Sequence, residues 1–413
     1  MKKIDSGLHY PLDMNTLSKT WSVSYIGDVA IEIQPGFASG EHNQEGTGIP
    51  HVRPMNINRQ GNLDLSVVKY VSPDKDKKRL RAGDVLFNNT NSPELIGKTT
   101  VINKDIDWAF SNHMTRIVFP QEVSPKFVAY QLHFLWSMGY FLHKCVKHVN
   151  QASISSKTLG DSVPLILAPF NEQKLIVSEI EKQFSRLDEA VAALKRVRAS
   201  LKRYKAAVLK AAVEGKLTEE KVKWNETTFG EIISISSGDG LTKTQRNDEG
   251  EYLVYGGNGI AGRHSEFMYE EEKLIIGRVG VHCGNAHTTK PKSWITDNAF
   301  VVSFDKKSID IKFLFHLIWF LNLNKYSSST AQPVISQGKL YPIEISIPEK
   351  KEEQQKIVEE IESRLSVAEE VEEAIDINLK RSERLRQAIL KKAFSGRLVP
   401  QEHNKETAGE LTR

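Results

Sequence analysis

The chain has 413 residues, more than one hydrophobic core usually organises, so its length predicts two or more domains. A hydrophobic fraction of 39% permits real cores and a charged fraction of 26% is average, which excludes a largely disordered chain. A net charge of +4 permits nucleic-acid contact without requiring it. The most apolar run, 313–323, is too short to span a bilayer, and the amino terminus lacks the apolar core of a signal peptide, so we expect a cytoplasmic protein.

A first mixed segment runs from Trp21 to about Pro169. Its short apolar runs lie at 29–33, 84–88, 99–103 and 115–119. Turn residues separate these runs, which predicts an irregular, β-rich domain with long loops. The stretch 124–144 is predicted to be a helix, since its proline at the second position suits a first helical turn.

The next stretch, about 171–214, is predicted to be one long helix. Its apolar residues recur every seven positions, at Ile180, Leu187, Leu194, Leu201 and Val208. A sustained heptad is typical of a coiled coil. No proline interrupts the stretch, and Gly215 is suited to the left-handed turn after a helix. About 44 residues at roughly 1.5 Å each give about 66 Å of helix.

A second mixed segment starts at Trp224 and includes a helix candidate at 310–322. A second long helix follows from about Glu352 and is predicted to end before Gly396. The stretch after Val399 is polar, and we expect it to be frayed.

The two long helices are copies of one segment. Residues 171–217 align with 352–398 at an offset of 181 without a gap, and 17 of the 47 pairs are identical. Chance would give about three. The loops before the helices also match at this offset, in QASIS (151–155) and QPVIS (332–336). Between these anchors the mixed segments share little sequence, and the first is longer by about 22 residues. A common frame with a divergent middle is expected to present two different binding surfaces.

We therefore predict an α+β fold with two mixed, β-rich domains separated by two long antiparallel helices, which form an intramolecular coiled coil in a pseudo-two-fold internal repeat. The predicted divisions are 1–169, 170–222, 223–350 and 351–413. The apolar stripe of a long helix has to be buried, and the second long helix of the same chain carries a matching stripe on which the first can pack. A pseudo-two-fold molecule suits a two-fold ligand, of which DNA is the commonest.

Motifs for resident chemistry are missing from the sequence. Cys145 and Cys283 lie far apart outside any CxxC pair, which excludes a zinc ribbon. The Gly97-Lys98-Thr99 triplet resembles the end of a phosphate-binding loop, but Ser92 stands where that loop needs a glycine. The histidines lack metal-binding spacing.

Polar loop side chains are the remaining candidates, because Asn and Arg pair with base edges while Lys and Arg neutralise phosphates. The DNA-contact candidates of the first segment are Asn88, Asn89, Asn91, Lys98, Asn112, His113 and Arg116. Those of the second segment are Tyr255, Asn258, Arg263, Arg278, Lys290, Lys292 and Asn298. Arg278 directly follows an apolar strand, where an edge or mouth is expected. For each residue a turn-forming or solvated role is the alternative.

The EQ-x-x-I-V-x-E-I-E opening, the long helix and the GKL or GRL ending, present twice, resemble the conserved regions of type I restriction–modification specificity subunits. The segments RLRAGDVLFNNTNSPELIGKT (79–99) and YLVYGGNGIAGRH (252–264) resemble that family's target-recognition domains. The resemblance covers about residues 21–399.

The resemblance implies a chain without catalytic activity or cofactors, whose domains each read half of a bipartite double-stranded DNA site. It implies that the helices set the spacer and dock two methyltransferase (modification) subunits, with restriction subunits joining through the complex and no membrane partner. For the docking face we expect Leu175, Val177, Ala207, Leu209, Val358, Leu390 and Phe394. The alternative is that these residues widen the intramolecular seam.

Two other functions are weighed against this one. A non-catalytic scaffold would pair its helices between chains and bind proteins with its domains. An autonomous enzyme would bind a nucleotide with its glycine-rich loops, against which Ser92 argues.

Overall fold

A computed structural model describes residues 10–39, 41–72, 79–149, 151–218, 222–242, 245–247, 249–328 and 332–400. These residues form two compact units. The first is drawn from Met1–Ala193 and Asn378–Arg413, and the second from Leu194–Ile377. Each unit therefore combines one mixed segment with part of each long helix. Across the described residues, every helix is too short or too polar to cross a bilayer.

Over its described residues, the mixed segment of the first unit is a succession of short strands and α-helices, with short 3-10 turns between some of them. Its elements are β1 (Ser22–Tyr25), α1 (Ile26–Val29), β2 (Glu32–Pro35), β3 (Ile49–Val52), β4 (Lys69–Val71), β5 (Val85–Asn88), β6 (Thr90–Asn91), β7 (Thr99–Val101), β8 (Ala109–Phe110), β9 (Met114–Val118), α2 (Pro125–Ser137), β10 (Val146–Lys147), β11 (Ala152–Ser153), α3 (Ser156–Ser162), β12 (Pro164–Leu167) and the start of α4 (Phe170–Val213).

The second unit repeats this order with fewer strands. Its elements are β13 (Trp224–Thr228), α5 (Phe229–Ile232), β14 (Ile233–Ser237), β15 (Tyr252–Gly256), β16 (Gly259–His264), β17 (Leu274–Gly277), β18 (Ala286–Thr288), β19 (Ser293–Ile295), β20 (Ala299–Phe304), α6 (Ile311–Leu321), α7 (Gln337–Leu340), β21 (Glu344–Pro348) and the start of α8 (Lys351–Phe394).

The two mixed segments share one sheet topology. The four-stranded sheet has the order β2-β9-β5-β7 in the first unit and β14-β20-β17-β18 in the second. The three-stranded sheets, β4-β3-β8 and β16-β15-β19, each combine one antiparallel and one parallel pairing. A two-stranded sheet, β1-β12 or β13-β21, joins the start of each segment to its end. The first unit adds the sheet β10-β11-β6. The predicted α+β fold with a repeated frame is confirmed.

One predicted helix is shorter than expected. The stretch 124–144 was predicted to be helical throughout, but α2 ends at Ser137 and a separate 3-10 turn covers Tyr140–His143. The reason is Gly139, whose φ of 75° places it in the left-handed region that ends a right-handed helix.

The two long helices have 44 residues each, and both end as the sequence predicts. Gly215 and Gly396 have φ of 68° and 71°. After the first of them, the Lys216 amide donates to the Ala211 carbonyl at 2.8 Å, and Arg397 donates to Lys392 at the same distance. These bonds satisfy the carbonyls that a helix end leaves free.

Ion pairs show the antiparallel direction of α4 and α8 within the second unit. Arg198 pairs with Asp376, while Lys205 pairs with Glu372 at 2.7 Å, so residue numbers rise along α4 as they fall along α8. In the first unit the Arg386 guanidinium pairs with Asp188 on α4. The predicted intramolecular pairing of the helices is confirmed within each unit.

The helix ends that lie against each mixed segment are part of its hydrophobic core. In the first unit the α4 residues Ile176 and Ile180 pack in one cluster with Leu390 and Phe394 of α8. In the second unit Val208 packs with the start of α8. The expectation that Val177, Val358, Leu390 and Phe394 form an outer docking face was wrong, because these four side chains are buried. Leu175 and Ala207 are exposed.

A buried glutamine fixes each mixed segment to its following long helix. The Gln173 side chain accepts a hydrogen bond from the Ser124 amide at 2.9 Å and donates to the Ala168 carbonyl at 2.8 Å. Its repeat copy, Gln354, accepts from the Asp310 amide at 2.8 Å and donates to the Pro348 carbonyl at 3.0 Å. This explains the glutamine of the repeated opening motif, since it satisfies the amide at the start of α2 or α6.

We expect Gln354→Ala to destabilise the second unit by about 1–3 kcal/mol, because it leaves a backbone amide and a buried carbonyl without partners. Thermal unfolding followed by circular dichroism measures the effect. The matched control is Gln355→Ala, since Gln355 is the exposed neighbour on the same helix. Equal losses in the two variants would contradict an anchoring role for Gln354.

Candidate nucleic-acid interface

A cleft of about 630 Å³ opens in the first unit and is lined largely by polar residues. Its described lining consists of Ala38, Ser39, His42, His51, Arg53, Pro54, Met55, Thr90, Asn91, Ser92, Leu95, Lys98, Ser111, Asn112, His113 and Gln151. The lining combines an arginine, a lysine and three histidines. Among these described residues none is Asp or Glu, so the cleft concentrates hydrogen-bond donors and two basic side chains, Arg53 and Lys98.

Strand ends bring these loops together. β3 delivers His51 and then Arg53 to the cleft, and the Ser111 amide donates to the Val52 carbonyl at 2.9 Å, which holds the β8–β9 turn beside β3. That turn carries Asn112 and His113. β6 pairs with β11, which places Asn91 opposite Ala152, next to Gln151.

Three of the seven predicted first-domain residues, Asn91, Asn112 and His113, line the cleft at its surface. Asn112 is exposed, while Asn91 and His113 are half-buried. Asn91 also accepts a hydrogen bond from the Ser92 amide at 2.8 Å. These three side chains present amide and imidazole groups to a ligand.

Three other predicted residues are buried and hold the loops instead. Asn88 donates to the Leu95 carbonyl at 3.0 Å. Asn89 donates to the Asn112 carbonyl at 3.1 Å and so fixes the turn that carries Asn112. Lys98 lines the cleft floor, but its ammonium donates to the carbonyls of Pro54 and Ile57. Burial, and secondarily the nearby Arg59, lower the pKa of Lys98.

Arg116 lies away from the cleft and is occupied within the protein. Its guanidinium pairs with Glu32 at 2.6 Å and with Asp84 at 3.7 Å, and it donates to the Arg79 carbonyl at 3.1 Å. Burial raises the pKa of Asp84. In this arrangement the guanidinium ties β9 to its neighbours and is not directed at a ligand.

Sequence reasoning missed His42, His51 and Arg53. The His42 Nε2 lies 3.2 Å from the His51 Nδ1, so one ring donates a hydrogen bond to the other. Burial, followed by the charges of Arg53 and Lys69, lowers the pKa of His42. The local sequence gives only a weak signal for Arg53, because the strand before it, Ile49–Val52, contains a proline and a histidine, whereas the strand before Arg278 is apolar throughout.

The second unit repeats the backbone hydrogen bonds that hold these loops. The Asn89 amide donates to the His113 carbonyl at 3.0 Å, and in the second unit the Arg278 amide donates to the Asn298 carbonyl at 2.9 Å. The Ile154 amide donates to the Asn89 carbonyl at 2.9 Å, and its counterpart is the bond from the Ile335 amide to the Arg278 carbonyl at 3.0 Å. The bond from the Ser111 amide to the Val52 carbonyl (2.9 Å) likewise has its counterpart in the bond from the Thr296 amide to the Tyr255 carbonyl (2.8 Å). Arg278 therefore occupies the position of Asn89, and Asn298 that of His113.

The predicted residues of the second unit fall into two groups at opposite ends of β15. Asn258, Arg278 and Asn298 lie at its carboxyl end, where the Arg278 guanidinium donates to the Ser237 hydroxyl at 2.8 Å. Lys290 and Lys292 precede β19, which runs parallel to β15, so they lie at the amino end.

Two further predicted residues of the second unit have internal partners. Arg263 donates to the carbonyls of Gly250 and Glu251 at 3.2 and 3.1 Å. Tyr255 is buried, and its hydroxyl accepts from the Lys290 amide at 3.0 Å. The carboxyl-end group is thus the one that matches the first-unit cleft in position.

A family model described as "Type I restriction modification DNA specificity domain" matches residues 18–202 and 221–381. The chain belongs to this family. The two matched stretches each contain one mixed segment and most of the long helix that follows it.

Relatives of this specificity-domain chain carry the same kind of name. The chain is 36% identical over 134 residues to the EcoprrI type I restriction enzyme specificity subunit of Escherichia coli, a match that spans 32% of this chain and 33% of that relative. It is 23% identical over 391 residues to the StySPI specificity subunit of Salmonella potsdam, covering 86% of this chain and 83% of the relative.

Solved structures share the fold of the specificity-domain chain. A chain from a study of assembly and conformational transition of the type I R-M system has a TM-score of 0.75 at 18% identity, covering 92% of this chain and 99% of that one. The HsdS subunit from Thermoanaerobacter tengcongensis has a TM-score of 0.57 at 18% identity, with coverage of 92% and 98%.

Proposed function

We propose that the chain is the sequence-specific DNA-recognition subunit of a type I restriction–modification complex, and that domains 1–169 and 223–350 each read one half of a bipartite target. The observation that carries the proposal is the repeated loop frame. One set of backbone hydrogen bonds holds Asn112 and His113 in the first unit and Asn298 in the second, with different side chains at equivalent positions. Different side chains on one frame suit two different half-sites.

The charge of the first-unit cleft favours DNA over a protein-binding scaffold. Its described lining has Arg53, Lys98 and three histidines but no carboxylate. Protein interfaces depend on apolar and aromatic anchors, whereas nucleic-acid contacts depend on cations and amides. In this proposal recognition belongs to this chain, while methylation and cleavage belong to modification and restriction subunits.

The long helices are proposed to set the spacer and to dock methyltransferase subunits, one for each repeat. In the second unit the apolar side chains of Val197, Tyr204, Val367 and Ile377 are 44–59% exposed. Exposed apolar side chains on a paired helix are covered when a partner helix packs on them. This set replaces the buried residues that sequence reasoning assigned to the docking face.

The function is tested by reconstituting methylation with a domain swap. Residues 21–169 are replaced by the corresponding domain of a related specificity subunit, and the DNA methylated by the reconstituted complex is sequenced. We expect one half-site to change while the other half-site stays the same.

A reciprocal swap of residues 224–350 is the matched control and should change the other half-site. If one swap altered both half-sites, or if neither swap altered any, the assignment of one half-site to each domain would be wrong.

A further inference from the structure

The first-unit cleft is lined by Arg53, Lys98 and three histidines, and its described lining contains no carboxylate. Lys98 is 5% exposed, and its ammonium is satisfied only by the carbonyls of Pro54 and Ile57. Arg53 is half-buried, and the structure gives its guanidinium no ion pair with a described residue. Basic side chains at partly buried positions without a carboxylate partner are stabilised when an anion contacts them. The arrangement therefore calls for an anionic ligand.

The second unit acts as an internal control for this argument. The parallel pairing of Val52 with Phe110 corresponds to that of Tyr255 with Ile295, so Val254 and Gly256 stand where the first unit has His51 and Arg53.

The other cleft positions are matched by backbone bonds. The bond from Asn88 N to Lys98 O corresponds to Gly277 N to Asn285 O, which matches Lys98 with Asn285. Asn112 is matched by Asp297, which precedes Asn298. The second unit thus has neutral or acidic residues at the four positions that carry His51, Arg53, Lys98 and Asn112 in the first, while its own cation, Arg278, stands at the position of Asn89. Folding of the frame therefore does not require Arg53 and Lys98.

We infer that this cleft binds a phosphodiester group of the DNA contacted by the first domain, with Arg53 and His113 as the contacting residues and Lys98 supplying charge from below. The inference rests on the proposed function. Asn91 and Asn112, on the rim, add neutral donors beside the phosphate. Phosphate contacts fix the register of a protein on the duplex, so Arg53 anchors the first domain at a position where the second domain has Gly256.

The full chain is titrated against a fluorescent mixed-sequence duplex of about 30 base pairs at several salt concentrations. For Arg53→Ala we expect about a tenfold weaker affinity, the loss of one charged hydrogen-bonding contact. The slope of log affinity against log salt should fall by about one. Arg53→Lys keeps the charge and should keep the slope. Arg81→Ala, which removes an exposed arginine of the same unit outside the cleft lining, is the matched control and should leave both quantities unchanged.

The outcomes separate the two levels of the proposal. If the unaltered chain binds no DNA, either alone or in the reconstituted complex, the proposed function and this inference both fail. If it binds and Arg53→Ala changes neither affinity nor slope, only this inference fails. A loss confined to certain duplex sequences would show that Arg53 reads a base edge, which overturns the phosphate assignment. A uniform loss across sequences with a reduced slope supports the inference. Circular dichroism of each variant confirms that it is folded.

Discussion

Replacing Phe394 by alanine is expected to lower the free energy of unfolding of the first unit by about 3–5 kcal/mol, the cost of removing a buried phenylalanine. Phe394 is fully buried at the end of α8. Its ring lies 5.3 Å from that of Phe127 and 5.9 Å from that of Phe134, both on α2. The change would therefore leave a cavity between the last turn of the chain's second long helix and the core of the first domain.

Hydrogen exchange measures this effect by unit. Amides of β5 and β9, in the first unit, should exchange faster in Phe394→Ala, while those of β17 and β20 should be unchanged. Leu385→Ala is the matched control, because Leu385 is on the same helix but 43% exposed. Equal acceleration in both variants, or faster exchange in the second unit alone, would contradict the placement of Phe394 in the first core.

The long helices could be predicted from sequence because their determinants are local. A heptad pattern, the absence of proline and a terminal glycine each act within a few residues, and α4 and α8 end before Gly215 and Gly396 as predicted. The antiparallel pairing was also accessible, because the sequence itself shows two copies of one stripe.

The cleft could not be predicted because its parts are distant in sequence. The parallel pairing of β3 with β8 brings Arg53 and His113 to the same cleft, and a local pattern does not specify that pairing. Residue type likewise does not separate Asn89, which is buried under the β8–β9 turn, from Asn112, which is exposed on it. Both are asparagines in polar loops, and only tertiary contacts give them different roles.

The longer first domain also shows what sequence alone leaves open. Equivalent positions of the two units differ by 203 in residue number at Val52 and Tyr255, but by only 189 at Asn89 and Arg278. Most of the surplus of about 22 residues therefore lies between β3 and the loop after β5. The hydrogen bonds on either side of that stretch are the same in both units, so the extra residues are accommodated without moving the frame, and positions on the frame can be matched one by one.

Three heptads inserted into both long helices are expected to shift the methylated target to a spacer about nine base pairs longer. The insertion points are Ala193/Leu194 and Ile377/Asn378, the boundaries of the two units, so every contact within each unit is kept. Twenty-one residues add about 32 Å at roughly 1.5 Å per residue. DNA advances about 34–36 Å per turn of about 10.5 base pairs, so this length corresponds to about nine base pairs.

The rotation matters as much as the length. Twenty-one helical residues complete about six turns less 60°, so the insertion rotates one domain relative to the other by about −60°. Nine base pairs complete one turn of DNA less about 50°, so the second half-site is rotated by nearly the same angle and still faces its domain. A single heptad is the matched control. It adds about 10 Å, or about three base pairs. The domain and its half-site are then rotated by angles that differ by roughly 120°, so the domain no longer faces its half-site and we expect little methylation. Methylome sequencing of a host expressing each complex gives the spacer directly. Full activity of the long variant at the original spacer would show that the helices do not set it.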